Sequence, residues 1–566
     1  MQYEALNPRG DVDPVHTIGL QPRVKNLNNI TLGLYATFKI HWVQILDEIG
    51  RQLQHRYPKM KIARFQYTKD LNAYTQVAEV AKDPEVRPAF EKWLKGVDAV
   101  LTANGDAGSC TLYLTYNTTL VERLGKPVVM MLKDQYLDIF KRAAALRGVP
   151  AMRHVFLDIP DISDNKNIDH WMGGELSRRV AAVLDDIVAA LTKPLTPEEK
   201  NPPKPPKALP RIVVKGNIQK VNDFFYDRGW SYGMPIVPPT EESVKEMLRG
   251  TDLPPDHVVA KIPLMNGKAT VEKVAINAVM AGCRPTHMPV LIAAVEAMVD
   301  PRMWLEAYTC SVASWAPLLI VNGPIRNDLN INSAGGVFSP YYRANAAIGH
   351  TLGLLIMNIA GIQGGIDDKG WCGHEGRFGI CIGENEEESP WEPLHQFYGF
   401  NKEESAVTLF FPNSRQFMFF GDDPAAMLQT LCDGLQPMGF DPGCAFIMAP
   451  SAARILHNYG MSRKDFRSYI VEYARRPAPE VNLRWMRGNN HLPKTVVLPA
   501  EPSRTVRKFF SDLHLPVVIA GMSYGNGIVA YGGGGDHGGP VTHKITLPKN
   551  WKKLVAEYKD NKPQYK

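Results

Sequence analysis

The chain has 566 residues, more than one hydrophobic core ordinarily serves, so two or three domains are expected. Hydrophobic residues at 45% and charged residues at 22% are globular proportions and exclude a chain that is disordered as a whole. The formal net charge of +6 is spread along the length, with no Lys/Arg run interleaved with aromatics, which argues against a nucleic-acid partner.

The chain opens MQYEALNPRGDVDP, without a basic stretch followed by an apolar run, so no secretory signal is read there. Ile30 to Ala36 (ITLGLYA) predicts a strand, followed by an amphipathic helix through Gln54. Lys61 to Tyr67 predicts a second strand and Val97 to Ala103 a third, with a helix through Leu124 after it. Pro127 to Leu132 and His154 to Ile159 complete five strands, and a helix from about His170 to Leu191 closes the segment. Strands separated by helices of this length imply βαβ units, hence an N-terminal doubly wound, flavodoxin-like parallel sheet over residues 1–192. Ligands in such sheets bind at the carboxyl ends of the strands.

Residues 193–211 (KPLTPEEKNPPKPPKALPR) are too rich in proline to continue a helix or sit in a central strand. They read as an extended, semi-rigid linker. Beyond it, residues 212–566 predict a larger mixed α/β domain. Asn217 to Trp230 reads as helical, and Val271 to Val299 as helix-rich with a break at Arg284-Pro285. Strands are expected at Leu318–Asn322, Thr408–Phe411, Phe446–Ala449 and Pro516–Ala520, and Ser462 to Arg475 reads as a charged surface helix. Between Arg343 and Asp367 no residue is formally charged. The run is long enough to cross a bilayer, but Asn345, His350, Asn358 and Gln363 recur in it and its end is glycine-rich. It is expected to be a core helix, buried within the protein or at a subunit interface of a homo-oligomer.

The seven cysteines are widely spaced, odd in number and form no CxxC, which fits a reducing, cytoplasmic setting better than a disulfide framework. One of them stands in a chemically suggestive place. In VDAVLTANGDAGSCTLYL a buried strand ends at Ala103, a turn Asn104 to Gly108 follows, Ser109 has the character of an N-cap, and Cys110 enters the first turn of a helix. Unpaired backbone N–H groups and the helix dipole stabilise a thiolate there, which suits nucleophilic attack. Against this stands the ordinary fate of a free cysteine, burial as an inert small hydrophobe.

The second domain supplies further candidates. Trp371-Cys372-Gly373-His374-Glu375 packs thiol, imidazole and carboxylate together; His374 and Glu375 are candidates for general acid/base work. The ligand spacing of a structural zinc site is incomplete there, so a metal remains the lesser reading. Asn332 and Ser333, in a polar stretch between apolar runs, are candidates for substrate contact. The glycine-rich run near the end, containing His537, could form an anion-binding nest or a plain loop. No cofactor signature is present: there is no Walker loop, and no GxGxxG opens a helix after the first strand.

The residues Asp106, Gly108, Ser109 and Cys110, with the helix and the strand PVVMM after them, resemble the UGSC family, named for a selenocysteine- or cysteine-Gly-Ser-Cys motif after a strand. ALNPRG near the start and ITLGLYA are similar to that family too. FFYDRGWSYGMPIVPPT, NGPIRNDLNINSAGG and GHEGRFGICIGENEEESPWEPLH resemble the added region of its long members. The resemblance implies a thiol- or selenol-based enzyme and names no substrate; Asp106, Ala107, Gly108 and Ser109, with Cys372 and His537 of the second domain, are candidates for substrate contact. The motif's first reactive position is Ala107 here, so no disulfide can join positions 107 and 110. Three functions follow as expectations. The first is a thiol-dependent lyase, hydrolase or reductive-cleavage enzyme acting on a small organic molecule through Cys110. The second is a thiol-based oxidoreductase in which alanine replaces the first reactive residue. The third is a non-catalytic small-molecule-binding protein.

Overall fold

The computed structural model describes residues 1–36, 40–65, 79–105, 107–159, 174–203, 209–436, 438, 443–477, 505–507, 513–533 and 538–561. After an initial strand β1 (Tyr3–Leu6), the first part runs β2 (Thr31–Ala36), α1 (Ile40–Arg56), β3 (Lys61–Phe65), α2 (Val86–Lys95) and β4 (Ala99–Gly105). It continues through α3 (Gly108–Arg123), β5 (Val128–Leu132), α4 (Leu137–Leu146), β6 (His154–Phe156) and α5 (Leu176–Thr192). The five strands β2 to β6 form one parallel sheet in the order β3-β2-β4-β5-β6. Counted from β2 this is the flavodoxin-like order 2-1-3-4-5. Alternation along the strands splits the apolar side chains between two faces. Leu32, Leu34, Leu101, Ala103, Val129 and Met131 meet α1 and α5. Tyr35, Val100, Val128, Met130 and Leu132 meet α2, α3 and α4.

Helix α3 carries no apolar stripe, and the structure explains why. From Gly108 to Val121 nearly every residue is buried, because the sheet lies on one side and the second part of the chain on the other. Its threonines bury their hydroxyls by bonding back along the helix: Thr115 donates to the Thr111 carbonyl at 2.6 Å and Thr118 to that of Leu114 at 2.7 Å. The core on this face of the sheet is continuous with that of the second part.

The second part begins with β7 (Ile212–Gly216), α6 (Ile218–Asp227), α7 (Glu241–Met247) and the hairpin β8 (Val258–Ile262) and β9 (Gly267–Thr270). Then come α8 (Val271–Met280), α9 (Met288–Met298) and α10 (Leu305–Cys310), followed by β10 (Leu318–Asn322), α11 (Arg343–Asn358), β11 (Ile380–Gly383), β12 (Ala406–Phe410) and β13 (Ser414–Phe419). The rest comprises α12 (Pro424–Gly434), β14 (Cys444–Met448), α13 (Pro450–Asn458), α14 (Arg463–Tyr473), the short pair β15 (Arg475–Pro477) and β16 (Thr505–Arg507), β17 (Val517–Ile519), β18 (Gly527–Gly532), β19 (Val541–Lys544) and α15 (Trp551–Tyr558). Two mixed four-stranded sheets result, β11-β10-β12-β19 and β13-β18-β14-β17. They pack face to face through Leu318, Ile320, Ile382 and Phe410 on one and Ala445, Ile447, Val518, Val529 and Tyr531 on the other. The alternate residues of each sheet turn outward onto helices, α8, α9 and α11 on one side and α12, α13 and α14 on the other. The architecture is therefore four layers, helix–sheet–sheet–helix.

One buried ion pair ties the sheets together. Glu384, just after β11, and Arg463, at the start of α14, are both fully buried and lie 2.9 Å apart. The remaining Glu384 lone pairs accept from Asn322 Nδ2 at 2.6 Å and the Leu394 N–H at 2.6 Å. The GENEEESPWEPL and NGPIRND stretches thus serve this junction. Helix 462–475 is accordingly less of a surface helix than its charge suggested: Arg463, Phe466, Arg467 and Ile470 are buried.

Three further expectations change in detail. The helix over the uncharged run is buried as anticipated, and spans Arg343–Asn358; among the described residues no helix is long and apolar enough to cross a membrane. The first half of the proline-rich linker is not an extended spacer. Thr196 caps a helical turn, Pro197–Lys200, whose Glu199 pairs with Arg153 at 2.7 Å and whose backbone receives the Leu20 N–H. Finally, β1 leaves the first part altogether: it pairs antiparallel with β7, and residues through Asp11 bond to the second part.

Candidate active site at the interdomain contact

Strand order reverses between β2 and β4, and the crevice outside their carboxyl ends is where open parallel sheets hold ligands. The loop after β4 leads directly into α3. The helix begins at Gly108 with Ala107 as its N-cap, extended at φ −157° and ψ 157° and giving no side-chain hydrogen bond. Ser109 is therefore not the cap, as its residue type had suggested; it and Cys110 both lie in the first turn. The first intrahelical bond runs from the Thr111 N–H to the Ala107 carbonyl. The N–H groups of Gly108, Ser109 and Cys110 have no intrahelical acceptor and create a positive end at the thiol. Asp106 lies outside the described residues. Cys110 is buried and is not in a disulfide.

The second part closes on this turn. A side chain at position 108 would place its Cβ 1.7 Å from the Cys310 carbonyl oxygen and 2.9 Å from the Lys369 Cβ, so only glycine allows the contact. Lys369 reaches back to the first part, donating to the Gln135 carbonyl after β5 at 3.2 Å. Two residues earlier Asp367 is fully buried. Its Oδ2 accepts from the Gln363 N–H at 3.0 Å and lies 3.2 Å from Arg142 on α4, while Oδ1 has no hydrogen-bond partner. Burial pushes its carboxyl up to about 6, opposed by the nearby Arg142, Lys369 and Arg9. Arg9, from the ALNPRG stretch, is lowered to about 10, first by burial and then by Arg142 beside it. The Cys310 thiol, close enough to feel Asp367, is pushed well up, chiefly by burial. Arg9, Arg142 and Cys310 carry no signal of this role in the sequence; Asp367 is legible there only as a carboxylate just before the Trp371–Glu375 cluster.

An open cleft of about 720 Å³ lies between the two parts, one turn along α3. Tyr113 lines it, three residues after Cys110 and therefore a neighbour on the helix surface. Across from it stand Trp304, its ring 6.2 Å from that of Tyr113, and Glu306, both near the start of α10.

The other sequence candidates gather elsewhere. His374 Nδ1 accepts the Gly376 N–H at 2.8 Å and sits 3.7 Å from Glu375. Its pKa is lowered by burial, against the pull of Glu375 and with help from Arg377 and Arg415. Glu375 and Cys372 are exposed. The Asn332 side chain is used up in its own turn, accepting from the Ala334 N–H at 3.0 Å and donating to the Gly335 carbonyl at 3.1 Å. The Ser333 carbonyl receives the Gly521 N–H, so this loop joins the two sheets rather than α3. His537 lies outside the described residues; part of its glycine-rich run is strand β18. Among the described residues no group of three or more His, Cys, Asp or Glu side chains is arranged to hold a metal.

Comparison with known proteins gives one family: the profile described as the UGSC family matches residues 4–193. No curated protein matches the chain. A crystal structure provisionally described as a diacylglycerol kinase from Bacillus anthracis str. Sterne is similar over 23% of this chain at 18% identity, with a TM-score of 0.14. The matched region spans 36% of that structure's length, and at this level the likeness carries no argument.

Proposed function

From the match of residues 4–193 to the UGSC family profile, we propose that the chain is a thiol-dependent enzyme acting on a small organic molecule, with Cys110 as nucleophile or thiol acid/base. The observation that carries this reading is the place of Cys110. It lies in the first turn of a helix at the switch point of a parallel sheet, under a second domain that packs on Gly108. Asp367, held near 6 and with one oxygen unpartnered, is the group suited to take and return a proton near neutral pH. His374 and Glu375, further along the same segment, are a second candidate acid/base pair, set apart from this turn in the described structure. Lyase, hydrolase and reductive-cleavage chemistry all use such a set. The test is Cys110→Ser and Cys110→Ala against a panel of small organic substrates: both are expected to lose turnover while keeping the native melting temperature. Turnover retained by Cys110→Ala overturns the reading.

The Gly108–Cys310 contact supports a second reading, a thiol oxidoreductase in which Cys310 replaces the reactive residue absent at Ala107. Two thiols would become one disulfide, their two electrons and two protons reducing a peroxide to water and an alcohol. Mild peroxide treatment followed by non-reducing peptide mapping tests it: a Cys110–Cys310 disulfide is expected on this reading, and its absence excludes it.

A further inference from the structure

The walls of the interdomain cleft have a chemistry of their own. Most charges on them are already balanced. Lys82 lies 2.9 Å from Glu79, which also pairs with Arg147 at 3.0 Å. Lys261 is taken by Asp13 at 2.6 Å, and Asp300 by Arg302 at 2.8 Å and His543 at 2.9 Å. Glu306 is placed differently: burial raises its pKa, and Lys82 and Arg147 favour its charge without pairing with it. It is only 9% exposed and lines the cleft, yet among the described residues no other side chain hydrogen-bonds or ion-pairs with it; its carboxylate accepts from its own backbone N–H. A carboxyl so deeply placed is costly when ionised and unpaired. Beside it the rings of Tyr113 and Trp304 meet edge to face, offering electron-rich surface. Met298, Pro301 and Met303 give the rest of that wall an apolar character.

A buried carboxyl with no ion-pair partner among the described residues, flanked by two aromatic rings in a cavity large enough for a small molecule, matches one ligand chemistry. We propose that the cleft binds an organic cation, an ammonium group on an apolar body, with the charge held between Tyr113, Trp304 and Glu306. An anion would meet Glu306 unscreened, and an uncharged apolar molecule would leave it unpaired. The proposal names the substrate class for the thiol site described above and rests on that reading only for the claim that the bound cation is turned over; the binding itself needs no thiol.

The experiment is therefore run on protein carrying Cys110→Ala, so that a failed thiol reading and a failed cleft reading are seen separately. Calorimetry measures binding of choline and hexylamine against their uncharged isosteres, 3,3-dimethylbutan-1-ol and hexan-1-ol. At least one cation is expected to bind about tenfold more tightly than its isostere, the scale of a desolvated cation–π and ion-pair contact. Adding Glu306→Gln, nearly isosteric, is expected to erase that preference, and Trp304→Leu to weaken both cations, with melting curves confirming that each variant is folded. Equal binding of cations and isosteres, or a preference that survives Glu306→Gln, overturns the proposal.

Discussion

Asp367 links the candidate chemistry to a pH dependence that has a definite sign. Its carboxyl has an ordinary value of 3.8 and is pushed up to about 6 in the folded chain, so the folded state holds the proton more firmly than the unfolded one. The resulting contribution to stability is complete below about 4 and lost as pH rises through about 6. At about 1.4 kcal/mol per unit the span is about 3 kcal/mol. Denaturant melts of the native protein between pH 4 and 7 should therefore show a decline that Asp367→Asn flattens. If Asp367 also handles the proton, the same substitution lowers kcat at least about 100-fold and removes the acid limb of the rate profile; His374→Ala leaves that limb in place. Thiol labelling depends on access as well as on acidity. Cys372 is exposed, whereas Cys110 is buried, so access alone favours Cys372. In Cys372→Ser protein, iodoacetamide at neutral pH should modify Cys110 first, because burial pushes Cys283 and Cys432 up to about 12 and raises Cys310 and Cys381 as well. Peptide mapping after partial alkylation decides the order.

At the scale of elements, α3 was legible in the sequence and its surroundings were not. The strand–turn–helix around Cys110 follows from VLTANGDAGSC, since the apolar run, the glycines and the helix-forming stretch after them each point the same way. What the pattern cannot contain is the partner that buries the helix's other face. That partner comes from residues about 200 positions later, and it fixes the need for glycine at 108. Gly108→Ala should therefore push the two parts apart: activity falls sharply while the far-ultraviolet dichroism changes little. The Glu384–Arg463 pair shows the same limit, because acid- and arginine-rich stretches read as surface until the fold brings them together. Replacing Glu384 by Gln leaves a fully buried guanidinium without its counter-ion and should cost about 3–5 kcal/mol in a denaturant melt, whereas a surface pair such as Arg51–Glu48 should cost under about 1. The loop of Asn332 and Ser333 shows a comparable limit: polarity between apolar runs also describes a loop that spends its hydrogen bonds on itself.

At the scale of the whole molecule, the first part is inserted into the second. Strand β1 pairs with β7, Lys273 Nζ donates to the Asn7 carbonyl at 2.9 Å, and Asn277 to that of Pro8 at 3.1 Å, before the chain departs for the parallel sheet. During synthesis those first residues emerge without any of their neighbours, and the parallel sheet can complete itself before β7 exists. The opening strand then waits for the middle of the chain, and closing it carries Arg9 up to Asp367. A nascent chain that has released only its first part therefore holds a finished sheet and an exposed Cys110, with no second wall to its cleft. The surroundings of Cys110 are completed last, by a clasp made before the sheet that it closes on.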